Sequence, residues 1–187
     1  AGCAPISTTQ TQSIDAKEFP MIATDAPITA EDIGRRVLKL IDSLHSAQDI
    51  APEHIERITG IHVEINEDDP SIYGFGGKLT EDWSYSLVSS PDRLGEKPTS
   101  LRFSFDDTDR ERAGPVDSAP ICDIRFDDYT KALVSAGFTA KPMPTFPGSD
   151  SWYFSRGDIG VTAYALGKTG AESAPVCLSK LIISAYA

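Results

Sequence analysis

Apolar residues first recur at helical spacing shortly after residue 28. Thr29 can accept an amide hydrogen bond where a helix begins, and Glu31 and Asp32 give the first turn the acidic side chains that it favours. The apolar stripe that follows consists of Ile33, Val37, Leu40, Ile41 and Leu44. This pattern predicts an amphipathic helix that begins directly after Thr29.

A second, shorter helix is predicted between Pro52 and Gly60. Proline suits the first helical position because an N–H there would have no partner within the helix. Ile55 and Ile58 are then expected to face the core, and Gly60 is expected to end the helix.

Beyond Gly60 the hydrophobic period changes to two, which is typical of half-buried strands. Ile61, Val63 and Ile65 alternate with His62, Glu64 and Asn66. An acidic turn follows at residues 66–70, and further strands are predicted at 72–79, 83–87 and 101–105. The first half of the chain is therefore expected to contain two helices followed by about four antiparallel strands.

The second half begins after a charged, proline-containing segment at residues 106–120, which we interpret as a connection. Asp127 or Asp128 can cap a third helix. The core side of this helix is predicted to consist of Tyr129, Ala132, Leu133 and Ala136. Gly137 fits the left-handed position at the helix end, with Phe138 folding back onto the last turn.

A proline-rich loop is predicted after this helix, at residues 141–150. Two strands, 152–155 and 159–166, are then expected to form a hairpin around Arg156-Gly157-Asp158. Residues 176–186 are expected to form a last strand. The hairpin turn itself explains the Arg-Gly-Asp tripeptide, so we do not interpret it as an adhesion signal.

The predicted fold class is α+β, with helices packed on one face of an antiparallel sheet. Because each half has helices followed by strands, we expect two similar helix-plus-sheet lobes, although no residue-level repeat is visible. The predicted organisation is a disordered leash at residues 1–28, a first lobe at 29–105, the connection at 106–120 and a second lobe at 121–187.

The composition is that of an ordinary globular protein, with 40% hydrophobic and 24% charged residues among 187. The formal net charge is −11, from 28 acidic and 17 basic residues. This balance argues against binding to nucleic acid or to anionic lipid, since both require basic patches. It favours a basic protein partner, although acidity that only maintains solubility would look the same.

The chain begins Ala1-Gly2-Cys3, and this tripeptide resembles the end of a lipobox, the site that lipoprotein signal peptidase cuts in bacterial prolipoproteins. The resemblance implies that Cys3 carries acyl chains and tethers the protein to a membrane facing the periplasm. Ala4 in place of aspartate implies sorting to the outer membrane. Residues 4–28, rich in Ser, Thr, Gln, Ala and Pro, suit a flexible leash. A cytosolic protein with three unrelated thiols and a frayed N-terminus is the alternative.

The other two cysteines, Cys122 and Cys177, form an even pair, as expected for a protein exported to an oxidising compartment. A bridge between them would close a loop of about 55 residues and contribute about 4 kcal/mol through chain entropy. The alternative is a redox or catalytic thiol, but the chain has no Cys-x-x-Cys spacing and no histidine in its C-terminal half. We therefore predict a structural disulfide.

We predict no catalytic site, no metal site and no cofactor. His45, His54 and His62 are 9 and 8 residues apart, a spacing that does not put two imidazoles on one helix face. No Gly-x-Ser-x-Gly motif is present. Residues 74–78 (Gly-Phe-Gly-Gly-Lys) lack both the first glycine and the following Ser or Thr of a phosphate-binding loop.

Three acidic residues, Asp107, Asp109 and Glu111, alternate as they do at the start of a calcium loop. Arg112 and Ser118, however, occupy the positions where that loop needs its glycine and its bidentate glutamate. A charged linker is the interpretation that we prefer.

The predicted partner-binding surface is the proline-rich loop together with the strand that follows it. Met143 and Phe146 are apolar residues in a polar, proline-stiffened segment, where periodicity does not explain them. Trp152 and Tyr153 follow, and such aromatic residues commonly anchor interfaces. The alternative is that Phe146 and Trp152 cover the core of the second lobe. The serine-rich strand face with Ser84, Ser86, Ser104 and Arg102 is the candidate for a second, polar surface, although an ordinary solvated face would show the same pattern.

Together these features resemble the periplasmic inhibitor lipoproteins, among them the immunity proteins of antibacterial type IV and type VI secretion systems. The lobes also resemble those of β-lactamase-inhibitor and BamE proteins. The resemblance implies a periplasmic protein that binds and inhibits a secreted toxin or a cell-wall enzyme, and that contacts the membrane only through the lipid on Cys3. Two alternatives remain: an envelope assembly lipoprotein that does not inhibit its partner, and a small hydrolase that uses paired carboxylates such as Asp68 and Asp69.

Overall fold

A computed structural model of the protein describes residues 27–109, 111–114, 116–144, 150–166 and 175–186. The described helices are α1 (Ala30–Ser43), α2 (Pro52–Thr59) and α3 (Phe126–Ser135), with short 3-10 turns at Ala47–Asp49 and Ala119–Ile121. The strands are β1 (Glu64–Ile65), β2 (Tyr73–Lys78), β3 (Trp83–Ser90), β4 (Ser100–Asp107), β5 (Thr139–Pro142), β6 (Ser151–Arg156), β7 (Ile159–Leu166) and β8 (Cys177–Ala185).

In the described part of the chain, eight strands form one antiparallel sheet in the order β1-β2-β3-β4-β8-β7-β6-β5. Each half of the chain contributes four consecutive strands. The halves meet where β4 pairs with β8, for example at Arg102 opposite Ile182. Helices of both halves pack against this sheet, and residues of both halves form one hydrophobic cluster. The predicted α+β class, with helices on an antiparallel sheet, is confirmed.

Helix α1 begins where the sequence predicted. Thr29 Oγ1 accepts a hydrogen bond from the Asp32 N–H at 3.1 Å. The predicted stripe of Ile33, Val37, Leu40, Ile41 and Leu44 is fully buried. Gly34 marks the close approach of α1 to α3, because a Cβ at this position would lie 2.2 Å from the Tyr129 hydroxyl oxygen. A larger residue at position 34 would therefore force the two helices apart.

Helix α2 also matches its prediction. Pro52 is its first residue, and Gly60 ends it with a left-handed φ of 69°. Ile55 is fully buried. Arg36 Nη1 donates to the Thr59 carbonyl oxygen at 2.7 Å, which ties the end of α2 to the side of α1.

The strand predicted at residues 61–66 is wrong in its extent, since only Glu64 and Ile65 form β1. The Glu56 carboxylate accepts a hydrogen bond from the Val63 N–H at 3.0 Å, and this contact holds the segment against α2 instead of in the sheet. Ile65 was expected in the core but is 50% exposed at the sheet edge.

Helix α3 begins two to three residues earlier than predicted, and neither Asp127 nor Asp128 caps it. The N-cap is Arg125, which forms a β-bridge with Cys177 and thereby sets the helix start. The most deeply buried positions of α3 are Phe126, Tyr129 and Leu133, while the predicted core residues Ala132 and Ala136 are half-buried.

The predicted end of α3 is confirmed. Gly137 has a φ of 90°, a conformation that glycine adopts without strain. The Phe138 N–H then donates to the Leu133 carbonyl oxygen at 3.1 Å, and the Phe138 ring is buried against the last turn.

Part of the predicted loop at 141–150 is a strand. Residues Thr139–Pro142 form β5, the edge strand that pairs with β6. The sequence did not predict this strand because the segment is polar and rich in proline. Pro142 is nevertheless compatible with an edge strand. The Met143 N–H donates to the Ser151 carbonyl oxygen, so Pro142, one position earlier, directs its backbone nitrogen away from β6. Residues 145–149, including Phe146, lie outside the described residues.

The hairpin of β6 and β7 and the last strand β8 match their predictions. The predicted disulfide is present, with the Cys122 and Cys177 sulfurs bonded across a sequence separation of 55 residues. It ties the segment before α3 to β8, a central strand of the sheet.

The connection at 106–120 is anchored to the first half of the chain. Trp83 Nε1 donates to the Asp117 carbonyl oxygen at 2.8 Å, and Thr108 Oγ1 donates to the Glu81 carbonyl oxygen at 2.6 Å. Among the described residues, no helix is long and apolar enough to cross a membrane. Cys3 and the predicted leash at residues 1–28 lie outside the described residues, except for Pro27 and Ile28.

Candidate functional site

The two faces of the sheet differ in what covers them. Along β3, buried Trp83, Tyr85 and Leu87 point to the helices, whereas the alternating Ser84 and Ser86 are half-buried on the other side. We call this second side the open face. Its central side chains are Val88, Arg102, Tyr153, Thr162, Tyr164, Lys180 and Ile182.

Strand register arranges these side chains in two neighbouring rows. One row runs across β3, β4, β8, β7 and β6 through Val88, Arg102, Ile182, Thr162 and Tyr153. The adjacent row contains Ser104, Lys180 and Tyr164. Directly paired residues on neighbouring strands have Cβ atoms about 5 Å apart, so the rows form a continuous surface.

A shallow depression adjoins the first row on the open face. Its volume is about 390 Å³, and its lining includes Glu64, Gly74, Gly76, Ser86 and Val88. Gly74 and Gly76 leave two outward positions of β2 without side chains, and the depression lies there. The Gly-Phe-Gly-Gly-Lys segment lies within strand β2, so its glycines do not form a phosphate-binding loop.

Two cations lie near the centre of the open face. Lys180 Nζ is 4.4 Å from the centroid of the Tyr164 ring, a cation–π contact that fixes its position. Arg102 is exposed, and within the described part of the chain no carboxylate or carbonyl group pairs with its guanidinium. The Asp106 carboxylate, four residues further along β4, accepts a hydrogen bond from Ser104 Oγ at 2.8 Å.

Tyr153 lies at one end of the first row. Gly160 on β7 makes room for it, since a Cβ there would be 2.6 Å from the Tyr153 hydroxyl oxygen. Burial raises the pKa of the Tyr153 phenol, and a hydrogen bond with Tyr186 raises it further. The phenol is therefore neutral near pH 7 and can donate or accept a hydrogen bond.

A second surface is an apolar groove on the helix side, between α3 and the strands β5 and β6. Its volume is about 460 Å³. The lining includes Phe126, Thr130, Val134, Ala140, Trp152 and Phe154. Trp152 is half-buried and packs against the hydrophobic cluster, so its ring serves both the core and this groove.

The structure separates the residues that the sequence grouped as one partner-binding surface. Trp152 lies in the groove, while Tyr153 lies on the open face, because neighbouring residues in a strand point to opposite sides. Met143 is 39% exposed just beyond β5. Phe146 belongs to residues that are not described. The serine-rich face with Arg102 does form a surface, and it is the central part of the open face.

Sequence reasoning missed the contribution of the second half to the open face. Thr162 and Tyr164 alternate with buried Val161 and Ala163 on β7, and Lys180 and Ile182 alternate with buried Leu181 and Ile183 on β8. The period of two was visible in both strands. It did not show that β8 pairs with β4 and so aligns these residues with Arg102.

The alternating acidic residues after β4 have a structural explanation. The Asp107 carboxylate accepts a hydrogen bond from the Asp109 N–H at 2.9 Å, and the Asp109 carboxylate accepts one from the Glu111 N–H at 3.2 Å. Arg112 pairs with Asp82. These residues therefore stabilise successive turns. Among the described residues, no group of three or more His, Cys, Asp or Glu side chains could hold a metal ion.

Ser43 and His54 resemble a nucleophile and base, with 2.8 Å between Ser43 Oγ and His54 Nε2. Their hydrogen bonds oppose that role. Arg57 Nη2 lies 2.7 Å from His54 Nδ1, and because guanidinium can only donate, Nδ1 must accept. The imidazole proton is then on Nε2 and points to Ser43 Oγ, which donates to the Leu40 carbonyl oxygen. This arrangement joins α1 to α2 and leaves His54 unable to accept the serine proton.

The same contacts predict a pH dependence of stability. Burial lowers the pKa of His54 below its ordinary value of 6.5, and the charge of Arg57 lowers it further. The neutral imidazole therefore stabilises the fold above about pH 6.5, and this contribution is lost as pH falls through the lower folded-state pKa. We expect urea unfolding to show a smaller stability loss between pH 7.5 and 5 in His54→Gln than in the native protein. His45→Gln, just after α1, is the control: it removes only the smallest of the effects that lower the pKa of His54 and should change the dependence far less than His54→Gln does. Equal slopes in native and His54→Gln proteins would contradict the prediction.

No protein family, curated protein or solved structure matches the chain. The geometry and charge of the two surfaces are therefore the basis for assigning a function.

Proposed function

We propose that the protein is a periplasmic lipoprotein, anchored to the outer membrane through Cys3, that binds and inhibits a secreted antibacterial toxin or a cell-wall enzyme. The observation that carries the proposal is the open face. It presents Arg102, Tyr153, Tyr164 and Ile182 together on the side of the sheet opposite the helices. Arginine and tyrosine are among the residue types that are enriched at the centres of protein interfaces.

The size of the open face suits a stable protein complex. Eight strands span about 34 Å across the sheet, and strands of eight residues extend about 27 Å. The three strands β3, β4 and β7 have eight residues each, and β8 has nine. A face of these dimensions is comparable to the roughly 800 Å² that one partner buries in a standard interface.

The rigidity of the open face supports an inhibitory role. Its backbone is fixed by hydrogen bonds to strands on both sides, so the side chains need little further ordering when a partner binds. Lys180 on Tyr164 and Tyr153 over Gly160 are already held in place. A rigid face of this kind inhibits an enzyme by covering its substrate cleft, and it needs no chemistry of its own.

The Cys122–Cys177 disulfide supports export, because structural disulfides persist mainly outside the reducing cytoplasm. The resemblance of Ala1-Gly2-Cys3 to a lipobox supports membrane attachment. In this proposal the lipid holds the inhibitor at the membrane surface, where an incoming toxin would meet it.

A matched pair of substitutions tests which surface binds the partner. Thr162→Trp places a large neutral ring in the centre of the open face. Thr130→Trp places the same ring in the apolar groove between α3 and the strands β5 and β6. The immobilised full chain is used to capture protein from periplasmic extract and from secreted toxins of neighbouring species. We expect Thr162→Trp to lose at least 90% of the capture and Thr130→Trp to keep it.

The captured protein is then assayed on peptidoglycan and on lipid, with and without an equimolar amount of the native chain. Loss of its activity supports the proposal. A captured protein that keeps full activity overturns inhibition and points to an assembly lipoprotein. Capture that is lost in Thr130→Trp and retained in Thr162→Trp overturns the open face as the binding surface. Turnover of either substrate by the purified chain alone would identify it as a hydrolase.

A further inference from the structure

We propose that the open face recognises an acidic segment of its protein partner, whose carboxylates pair with Arg102 and Lys180. This inference rests on the proposed function, since it names the chemistry of the partner that the open face would bind. The net charge of the whole chain, taken alone, would instead favour a basic partner.

The charge of the open face is opposite to that of the whole chain. The formal net charge of the protein is −11. By strand register the charged residues of the open face are Lys78, Arg102, Lys141, Lys180, Glu64 and Asp106. Cations therefore outnumber acids on this surface, and an acidic partner is favoured there although the rest of the molecule repels it.

Arg102 has no ion pair among the described residues, unlike Arg35, Arg36 and Arg156 on the helix side. Arg35 and Arg36 on α1 bind carboxylates one turn earlier, at 2.7 and 2.9 Å. Arg156 binds the Asp42 carboxylate at 2.9 Å. Arg102 has no such partner among the described residues, so its five N–H donors are available to a carboxylate from another molecule.

The surroundings of Arg102 favour a strong contact once a partner covers them. Val88 and Ile182 are its direct cross-strand neighbours, so the aliphatic part of the Arg102 side chain lies between apolar side chains. Lys180 is its diagonal neighbour on β8, at a distance of about 7–8 Å. Burial of this patch would lower the local dielectric constant and strengthen the attraction of both cations for a carboxylate.

The depression beside Val88 fits the same partner segment. Gly74, Gly76 and Ser86 line this depression, which can take a side chain that neighbours the carboxylate in sequence. One extended acidic segment can therefore place a carboxylate at Arg102 and a neighbouring side chain in the depression.

The first test uses a peptide probe and nuclear magnetic resonance. The probe is acetyl-Glu-Asp-Glu-amide, and the control probe is the neutral acetyl-Gln-Asn-Gln-amide. We expect only the acidic peptide to shift backbone amides of β4 and β8 around Arg102 and Lys180, with an affinity at least fivefold lower in Arg102→Glu. Lys39→Glu makes the same change in net charge on the exposed side of α1 and should stay within twofold of the native protein.

Three results would overturn the inference: equal shifts with the neutral peptide, equal weakening by Lys39→Glu, or shifts scattered over the molecule. Thermal melts confirm that the variants are folded, and Arg102→Gln replaces Arg102→Glu if the latter is not.

The second test separates this inference from the proposed function. Capture of the partner is compared between Thr162→Trp and the double variant Arg102→Glu with Lys180→Glu. Loss of capture in both, with at least tenfold weaker binding by the double variant, supports the acidic partner. Loss in Thr162→Trp alone leaves the proposed function standing and overturns the charge inference. Retention in both overturns the binding surface itself.

Discussion

Replacing Arg156 with alanine is expected to lower the free energy of unfolding by about 4 kcal/mol. The Arg156 guanidinium lies where α1 and α3 end. It donates to the carbonyl oxygens of Ala136, Asp42 and Leu44 at 2.7, 2.8 and 3.1 Å, and it contacts the Asp42 carboxylate at 2.9 Å. Alanine would leave these carbonyl oxygens without a partner from the protein, at helix ends that have no further intrahelical donors.

The environment of Arg156 makes its contacts stronger than those of a surface ion pair. Only 22% of the side chain is exposed, and its guanidinium carbon lies 4.5 Å from the centroid of the Phe138 ring. The residue comes from β6 in the second half of the chain, whereas Asp42 and Leu44 belong to the end of α1 in the first. Its loss is therefore expected to weaken the attachment of α1 to α3 as well as the local turn.

Urea unfolding followed by circular dichroism measures this effect. Arg156→Lys keeps the charge, but its single nitrogen cannot reach all the oxygens that Nη1 and Nη2 of Arg156 contact, so we expect about half of the loss. Arg125→Ala removes an exposed arginine near α3 and should cost less than about 0.5 kcal/mol. A loss below about 1 kcal/mol for Arg156→Ala would show that water satisfies the helix ends, contrary to the prediction.

Elements whose signals are local could be predicted from the sequence. The cap of α1 at Thr29, the glycine ends of α2 and α3 and the β6–β7 hairpin each depend on residues within about one turn of one another. These elements match the structure. The disulfide was also predictable, because Cys122 and Cys177 are the only two cysteines in the body of the chain.

Elements that depend on distant contacts could not be predicted. Val63 is held out of the sheet by the side chain of Glu56, and α3 begins early because Arg125 bridges to Cys177, more than 50 residues away in sequence. Arg156 was interpreted as part of a hairpin turn, since nothing in the sequence links it to the carbonyl oxygens of α1. These errors concern which distant segments contact each other. They do not concern the period of the hydrophobic pattern along the chain.

The candidate site was predicted in part for the same reason. Arg102 and the serines of β3 and β4 were recognised as one polar face because they lie in adjacent strands of the chain order. Lys180 and Thr162 join that face only through the pairing of β4 with β8, which sequence periodicity does not specify. Trp152 and Tyr153 were grouped although a strand directs them to opposite sides.

Removal of the disulfide is expected to have an effect as large as the loss of Arg156. Replacing both Cys122 and Cys177 with alanine should lower the free energy of unfolding by about 4 kcal/mol, because the unfolded chain gains the freedom of a loop of about 55 residues. Cys177 is fully buried at the start of β8, so its replacement also removes packing from the centre of the sheet. The bridge holds β8, which connects both halves, to the start of the second-half helix.

Urea unfolding of the native protein and of the double variant, each with and without dithiothreitol, measures this contribution. Dithiothreitol should destabilise the native protein by nearly the full amount and leave the double variant unchanged, since the variant has no internal bridge to reduce. Cys3→Ser is introduced in both proteins so that no third thiol exchanges with the pair. The prediction is contradicted if the native protein keeps its stability in dithiothreitol while its thiols become reactive. In that case the packing of β8 against β4 and β7 holds the halves together without the bridge. Oxidation outside the cytoplasm would then not be required for folding.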